Sequence, residues 1–190
     1  MEHNRVFRIT EDDIDDLRDH TRDQSLIDAY ASWVNRTDEL DSLIRKIEDA
    51  FAGLTLGDGI GLLEANGFDD YAGKDELAEL RSRDEHTDWR RIDVETLNRC
   101  YAAPTFMNAR GFIFHLPAFL VAELNDNFGY GFIDRLYDPH PHPSGWIELL
   151  NAAQRAALAA VLALVVEHPD YREHTDEITI AIERLHQSAG

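Results

Sequence analysis

Apolar residues recur at helical spacing along most of the chain. The clearest stripe is Leu40, Leu43, Ile44, Ile47 and Phe51, with Arg45, Lys46, Glu48 and Asp49 on the opposite face. Thr37 is placed to cap this helix and Gly53 to stop it. Upstream, Val6, Phe7 and Ile9 suggest a loose or edge-strand leader. Thr10 then caps a helix with Ile14 and Leu17 on its apolar side. A second segment from Asp23 or Ser25 carries Leu26, Ile27, Tyr30, Ala31 and Val34 at the same spacing.

Gly57-Asp58-Gly59 reads as a turn, followed by a short helix through Leu62–Ala65. Further short helices are expected over 74–84 and 93–101, the latter capped by Asp93. Thr105–Met107 and Phe112–Leu116 flank Asn108-Ala109-Arg110-Gly111, a pattern that predicts a β-hairpin with a four-residue turn. Pro117 would open the next helix, to about Leu124. Asp138–Gly145 is too rich in proline for a helix or central strand. From Asn151 a long Ala/Leu-rich helix presents Ala153, Ala157, Leu158, Val161, Leu164 and Val165, and Thr175 caps a last helix with Ile178, Ile182 and Leu185.

These elements predict a mostly α (α+β) fold, a compact multi-helix domain around the buried C-terminal Ala/Leu-rich helix, with one small β-hairpin. Residues 1–36 read as an acidic N-terminal helical arm packed on a single helical domain spanning 37–190. With 190 residues and 44% hydrophobic content, the chain can bury a core without covalent staples. The single cysteine, Cys100, precludes an internal disulfide. Together with an N-terminus that lacks the apolar core of a signal peptide, it points to a cytoplasmic protein.

Charge changes the picture more than composition does. The formal net charge is -19, from 37 acidic against 18 basic residues, and only Lys46 and Lys74 are lysines. Such a surface repels nucleic acid and anionic membranes, and it steers a basic protein partner. The acids are densest before residue 36, where Asp12, Asp13, Asp15, Asp16 and Asp19 form the candidate partner-binding surface. Small size, acidity and the lack of a catalytic signature suit an immunity- or antitoxin-like inhibitor that covers the basic cleft of a toxin.

The alternative is a divalent-metal-dependent enzyme. Asp69, Asp70, Glu85 and Asp88 supply carboxylates of the kind hard cations take, and Gly57-Asp58-Gly59 resembles a fragment of a cation loop. The alternating Asp/Asn series and closing Glu of a helix-loop-helix calcium site are missing, and turn formation or capping is the plainer role for these side chains. His140 and His142 alternate with prolines beside Asp138, but two histidines do not complete a site. Cys100 and His115 invite a thiol-nucleophile reading, though neither sits in a recognisable nucleophile context. No phosphate-cradling loop, dinucleotide fingerprint or serine elbow occurs, and no cofactor is expected.

Several words taken together resemble a family. Gly59-Ile60-Gly61-Leu62-Leu63-Glu64-Ala65, Asp69-Asp70-Tyr71, Asp84-Glu85 with Asp88-Trp89, and Gly111-Phe112 leading to His115-Leu116-Pro117-Ala118-Phe119-Leu120 are similar to a bacterial family of uncharacterised proteins, domain of unknown function 6714. Gln154-Arg155-Ala156-Ala157 fits its closing region. The resemblance spans roughly residues 40–185 and implies no catalytic role for any residue, since the family has no established activity.

Overall fold

A computed structural model describes residues 6–187, and every regular element among them is helical. The start of the expected leader and the last three residues lie outside the described residues; Val6–Ile9 form no strand. The helices are α1 (Glu11–His20), α2 (Gln24–Ala31), α3 (Thr37–Ala50), α4 (Leu62–Asp69), α5 (Lys74–Arg83), α6 (Val94–Arg99), α7 (Ala109–Leu124), α8 (Asp134–Tyr137), α9 (Ala152–Val165) and α10 (Thr175–His186). Short 3-10 turns over Trp89–Arg91, Ala103–Phe106, Ile147–Leu149 and Pro169–His174 link them.

Caps set many of the boundaries. Thr10 and Asp13 form a reciprocal capping box on α1, and Asn151 and Gln154 form another on α9. Asp23 and Asp93 accept amide bonds at the starts of α2 and α6. Thr37 proves to be the first residue of α3 rather than its cap, a place held by Arg36 without a side-chain bond. After α3, Gly53 takes a φ of 73°, which favours glycine.

The expected β-hairpin is absent. Residues 109–124 form one helix, α7, and Ala103–Phe106 is a 3-10 turn. The misreading has a physical cause. Every residue from Gly111 to Leu120 is buried, so α7 has no polar stripe, and a short apolar run looks the same as strand or as buried helix. Asn108 is the N-cap of α7, its Oδ1 accepting from Gly111 N at 2.9 Å, where the hairpin reading made it a turn residue. Pro117 sits inside α7 rather than at its start. It has no N–H for the carbonyl four residues earlier, a cost the surrounding burial of Phe112, Phe114, Leu116, Phe119 and Leu120 outweighs.

α7 packs on α3, and α3 in turn on α9, which also packs along α10. α9 buries Ala157, Leu158, Val161, Leu164 and Val165, as its apolar pattern predicts, and Ala159 and Leu162 besides; Ala153, expected on the same face, is exposed. The N-terminal segment is tied to this body by polar contacts at its start. Asp126, in the left-handed region just after α7, accepts from the backbone N–H groups of Val6, Phe7 and Arg8 at 3.1, 2.9 and 2.7 Å. Trp33 Nε1 donates to Phe7 O, and His168 Nε2 donates to Val6 O. Phe7, Ile14 and Trp33 are fully buried in the same core as α7 and α9.

A glycine contact positions the region below. The loop over residues 57–61 lies directly on the first turn of α7. Asn108 Oδ1 also accepts from Ile60 N at 3.1 Å, and its Nδ2 donates to Asp58 O. A Cβ on Gly111 would stand 2.2 Å from Ile60 O, and one on Gly59 2.6 Å from Gly111 N. Gly59 and Gly111 thus let two backbones touch.

Candidate functional site

Gly61 is the N-cap of α4 and has no side chain to cap it. The helix's free N–H groups are taken by the residue that follows the next helix. Asp84, the residue that ends α5, accepts from Leu63 N at 2.7 Å with Oδ1 and from Glu64 N at 3.1 Å with Oδ2. A Cβ at Gly61 would lie 2.1 Å from Asp84 Oδ2, so only glycine admits this remote cap. Asp84 is buried, and burial pushes its carboxyl up despite the two amide bonds. Arg81 holds the pair of helices together, donating to Glu64 Oε2 at 2.6 Å and Gly59 O at 3.0 Å.

Asp84→Ala leaves two inward N–H groups without an acceptor and is expected to cost about 1–3 kcal/mol in urea unfolding. Asp84→Asn should recover only part of this, because one of its two polar atoms donates. Stabilities of both variants within about 0.5 kcal/mol of wild type would refute the remote cap.

Beside this junction α4, α5, α6 and α7 surround a cleft of about 250 Å³. Leu62, Leu63 and Ile92 give it apolar walls, and Arg83, Arg91 and Arg99 stand on its exposed rim. Its three carboxylates are engaged by local donors. Besides Asp84, Glu85 accepts from Thr87 N, Thr87 Oγ1 and Asp88 N, and Asp93 from Thr96 N and Oγ1. These bonds hold the Glu85 and Asp93 carboxyls below their ordinary range, the Thr87 hydroxyl leading for Glu85 and the Thr96 amide for Asp93. The arginines are less committed. Arg83 reaches Glu79 only at 4.0 Å, and Arg99 donates to Thr96 Oγ1 at 3.2 Å. The Arg91 guanidinium has no close ion pair among the described residues, but its charge acts on Glu85 and Asp88 and helps to hold both carboxyls down.

His115 of α7 completes the lining and is itself buried. Its Nδ1 lies 2.7 Å from Gly111 O, one turn back on the same helix. A carbonyl only accepts, so Nδ1 carries the proton and Nε2 presents a lone pair. Nε2 is buried and meets no partner among the described residues. Burial lowers the imidazole to about 4, partly offset by the Gly111 bond, so the ring is neutral at pH 7.

The carboxylates proposed for a metal do not gather. Asp69 and Asp70 are exposed at the end of α4, where Asp70 accepts from Asn66 Nδ2. Glu85 holds the turn after α5, and Asp88 caps Trp89–Arg91 while pairing with Arg90 at 2.8 Å. Among the described residues no group of three or more His, Cys, Asp or Glu is placed to hold a metal ion. Asp58 pairs with Arg110. His142 Nε2 donates to Thr105 O, whereas His168 is buried against Phe7 and Trp33. Cys100 is buried and lines an adjoining cavity of about 270 Å³, which shares Leu63, Arg83 and Arg99 with the first; burial pushes its thiol up, away from nucleophile chemistry.

The acidic residues of α1 divide by role. Asp13 closes the capping box, with its Oδ2 2.7 Å from Thr10 N. Asp12, Asp15, Asp16 and Asp19 are exposed, and their spacing places them along one face. Asp15 pairs with Arg18 at 2.6 Å in the open, which neutralises little of that face.

Sequence reasoning missed the roles of Asp84 and His115. Both depend on contacts across the fold: an acceptor for a helix 20 residues earlier, and a ring nitrogen left over once α7 is packed. No local pattern announces either.

No curated protein and no solved structure matches the chain. A protein-family model does match, over residues 39–187, a span that contains α4 to α10 and every residue of the cleft, while α1 and α2 precede it. That span is most of the chain, and the protein belongs to the family of unknown function DUF6714.

Proposed function

We propose that the protein is a non-catalytic cytoplasmic binding module, an immunity- or antitoxin-like inhibitor that covers the basic cleft of a toxin. The observation that carries this reading is the open acidic face of α1. Asp12, Asp15, Asp16 and Asp19 point to solvent on one side, while Ile14 anchors the other side in the core. A rigid helix that presents four carboxylates costs little to order on binding, and its field raises the rate of encounter with a cationic surface. The overall charge of -19 acts in the same direction. No helix among the described residues is long and apolar enough to cross a membrane.

The test is affinity capture from the source organism with wild type and with a variant carrying Asn at positions 12, 15, 16 and 19. Wild type should retain a basic protein at about 50 mM salt and lose it at about 500 mM. The variant should retain at least ten-fold less. A partner held equally by both proteins, an acidic partner, or no partner at low salt would each sink the proposal.

A further inference from the structure

We propose that His168 is an acid-sensitive latch on the N-terminal strap, Val6–Ile9. The neutral ring holds the strap on the core, and the protonated ring releases it while the helices beneath stay folded. This inference is independent of the α1 face.

The strap is fastened by side chains. Among the described residues its backbone makes no hydrogen bond to another backbone group. The Asp126 carboxylate takes the N–H groups of Val6, Phe7 and Arg8. Two carbonyls are met by one ring each: Phe7 O accepts from Trp33 Nε1 at 2.8 Å, and Val6 O from His168 Nε2 at 2.7 Å. Arg8 adds an ion pair to Asp41 at 2.7 Å. Histidine is the one residue type among these fasteners whose ordinary titration falls in mildly acidic solution.

Both nitrogens of that ring are committed. Nδ1 accepts from Asp170 N at 3.1 Å and so caps the turn Pro169–His174, which leaves the proton on Nε2. A second proton can go only on Nδ1. There it would face the Asp170 N–H, donor against donor, in a side chain with no exposure. Asp170 Oδ2 lies 3.9 Å from Nδ1, too far for a hydrogen bond, so the imidazolium must turn to reach it. That turn withdraws Nε2 from Val6 O. The docked surroundings favour the neutral form. The rings of Phe7, Tyr30, Trp33 and Tyr171 enclose the imidazole. Burial lowers its titration, ahead of the Val6 bond and the charges of Asp170 and Asp126, which raise it; Arg36 adds to the lowering. Arg36 is itself paired with Glu167 at 2.7 Å, and Asp170 accepts from the Tyr30 hydroxyl. Undocking lifts Val6 and Phe7 off the ring and admits water, so the released state takes up the proton first. Docking is therefore complete above about pH 6.5, the ordinary imidazole value, and is lost as pH falls below it.

Two indoles report on strap and core separately. Trp33 Nε1–H is bonded to Phe7 O of the strap, and Trp89 Nε1–H to Phe51 O in the core at 3.0 Å. Their proton–nitrogen signals are followed by NMR on the whole protein from about pH 7.5 to about pH 5. The Trp33 signal should move to the position of a water-bonded indole in one titration step, while the Trp89 signal stays in place. His168→Gln keeps a side-chain N–H for Val6 O and has no proton to gain, so its Trp33 signal should not move. Asp170→Asn removes the charge that the turned ring seeks and should lower the midpoint by about half a pH unit or more. A Trp33 signal unchanged to the acid end of the range, one that changes only together with Trp89, a transition that persists in His168→Gln, or a midpoint in Asp170→Asn at or above that of wild type would overturn the proposal.

Discussion

Gly111→Ala is expected to be the most damaging single methyl in this protein, lowering unfolding free energy by roughly 3 kcal/mol or more. The new Cβ would lie 2.2 Å from Ile60 O, 2.8 Å from Ile60 N and 3.0 Å from Ile60 C. All three are backbone atoms, so no rotamer change relieves the overlap. Either α7 or the loop must move. A shift of the loop breaks the bond from Ile60 N to Asn108 Oδ1 and disturbs Gly61, where Asp84 caps α4. A shift of α7 disturbs the most completely buried helix of the fold. Helix propensity favours alanine over glycine by about 1 kcal/mol, which is too small to offset this. Gly73→Ala is the control: it precedes α5 with an ordinary negative φ of -72° and nothing within 4 Å of the added carbon. Its effect should stay within about 1 kcal/mol. Urea unfolding of both variants measures the difference, and a Gly111→Ala protein as stable as Gly73→Ala would show that the two backbones are not in contact.

The second large effect is a dependence on pH. Acidification from pH 6.5 to below 4 should remove about 3 kcal/mol more stability from wild type than from His115→Phe. The folded protein holds His115 at about 4, against an ordinary 6.5, because burial disfavours the imidazolium. A lowered value means the unfolded chain takes up the proton first. The contribution is therefore complete above pH 6.5 and is lost as pH falls towards and through 4. Glu123 works in the opposite sense. It is buried, accepts from Phe132 N and Ile133 N at 2.8 and 2.9 Å, and is pushed up to about 7 chiefly by desolvation. Its contribution is complete below about 4.5, its ordinary range, and is lost as pH rises through 7. Glu123 and the other carboxylates are common to both proteins, so they cancel in the difference. The phenylalanine variant also forfeits the Nδ1 bond, but that loss is constant with pH. Parallel stability curves from pH 7 to 4 would mean that His115 is not held neutral by burial.

The acidic and apolar patterns were legible along the chain for reasons local to a few turns. Leu40, Leu43, Ile47 and Phe51 lie on one side of α3 because 3.6 residues make a turn. Thr10, Asp93 and Asn151 cap helices because their side chains reach amides only three residues on. The net charge, and the concentration of aspartates on α1, follow from composition alone. The Ala/Leu-rich α9 announced its own burial.

Other features depended on partners distant in the chain. Residues 112–116 carry no helical stripe, since α7 is surrounded, and only the completed core selects helix over strand there. The glycines of 59, 61 and 111 read as turn formers in isolation; their purpose, close passage of loop, helix and Asp84, exists only once these segments meet. The carboxylates of 69, 70, 85 and 88 are near in sequence, but Asp70, Glu85 and Asp88 face separate local donors and Asp69 lies exposed, because a helix and two turns aim them apart. The cleft itself is a tertiary object. Arginines from three stretches and a histidine from a fourth share it because α4 to α7 pack around a gap, which no spacing along one element encodes. Local periodicity and capping reach a turn or two, so the sequence by itself determined the amphipathic helices and their charge; the all-apolar α7, burial, desolvation and long-range contact required the assembled fold, and only they decided where a ring nitrogen would be left unmet.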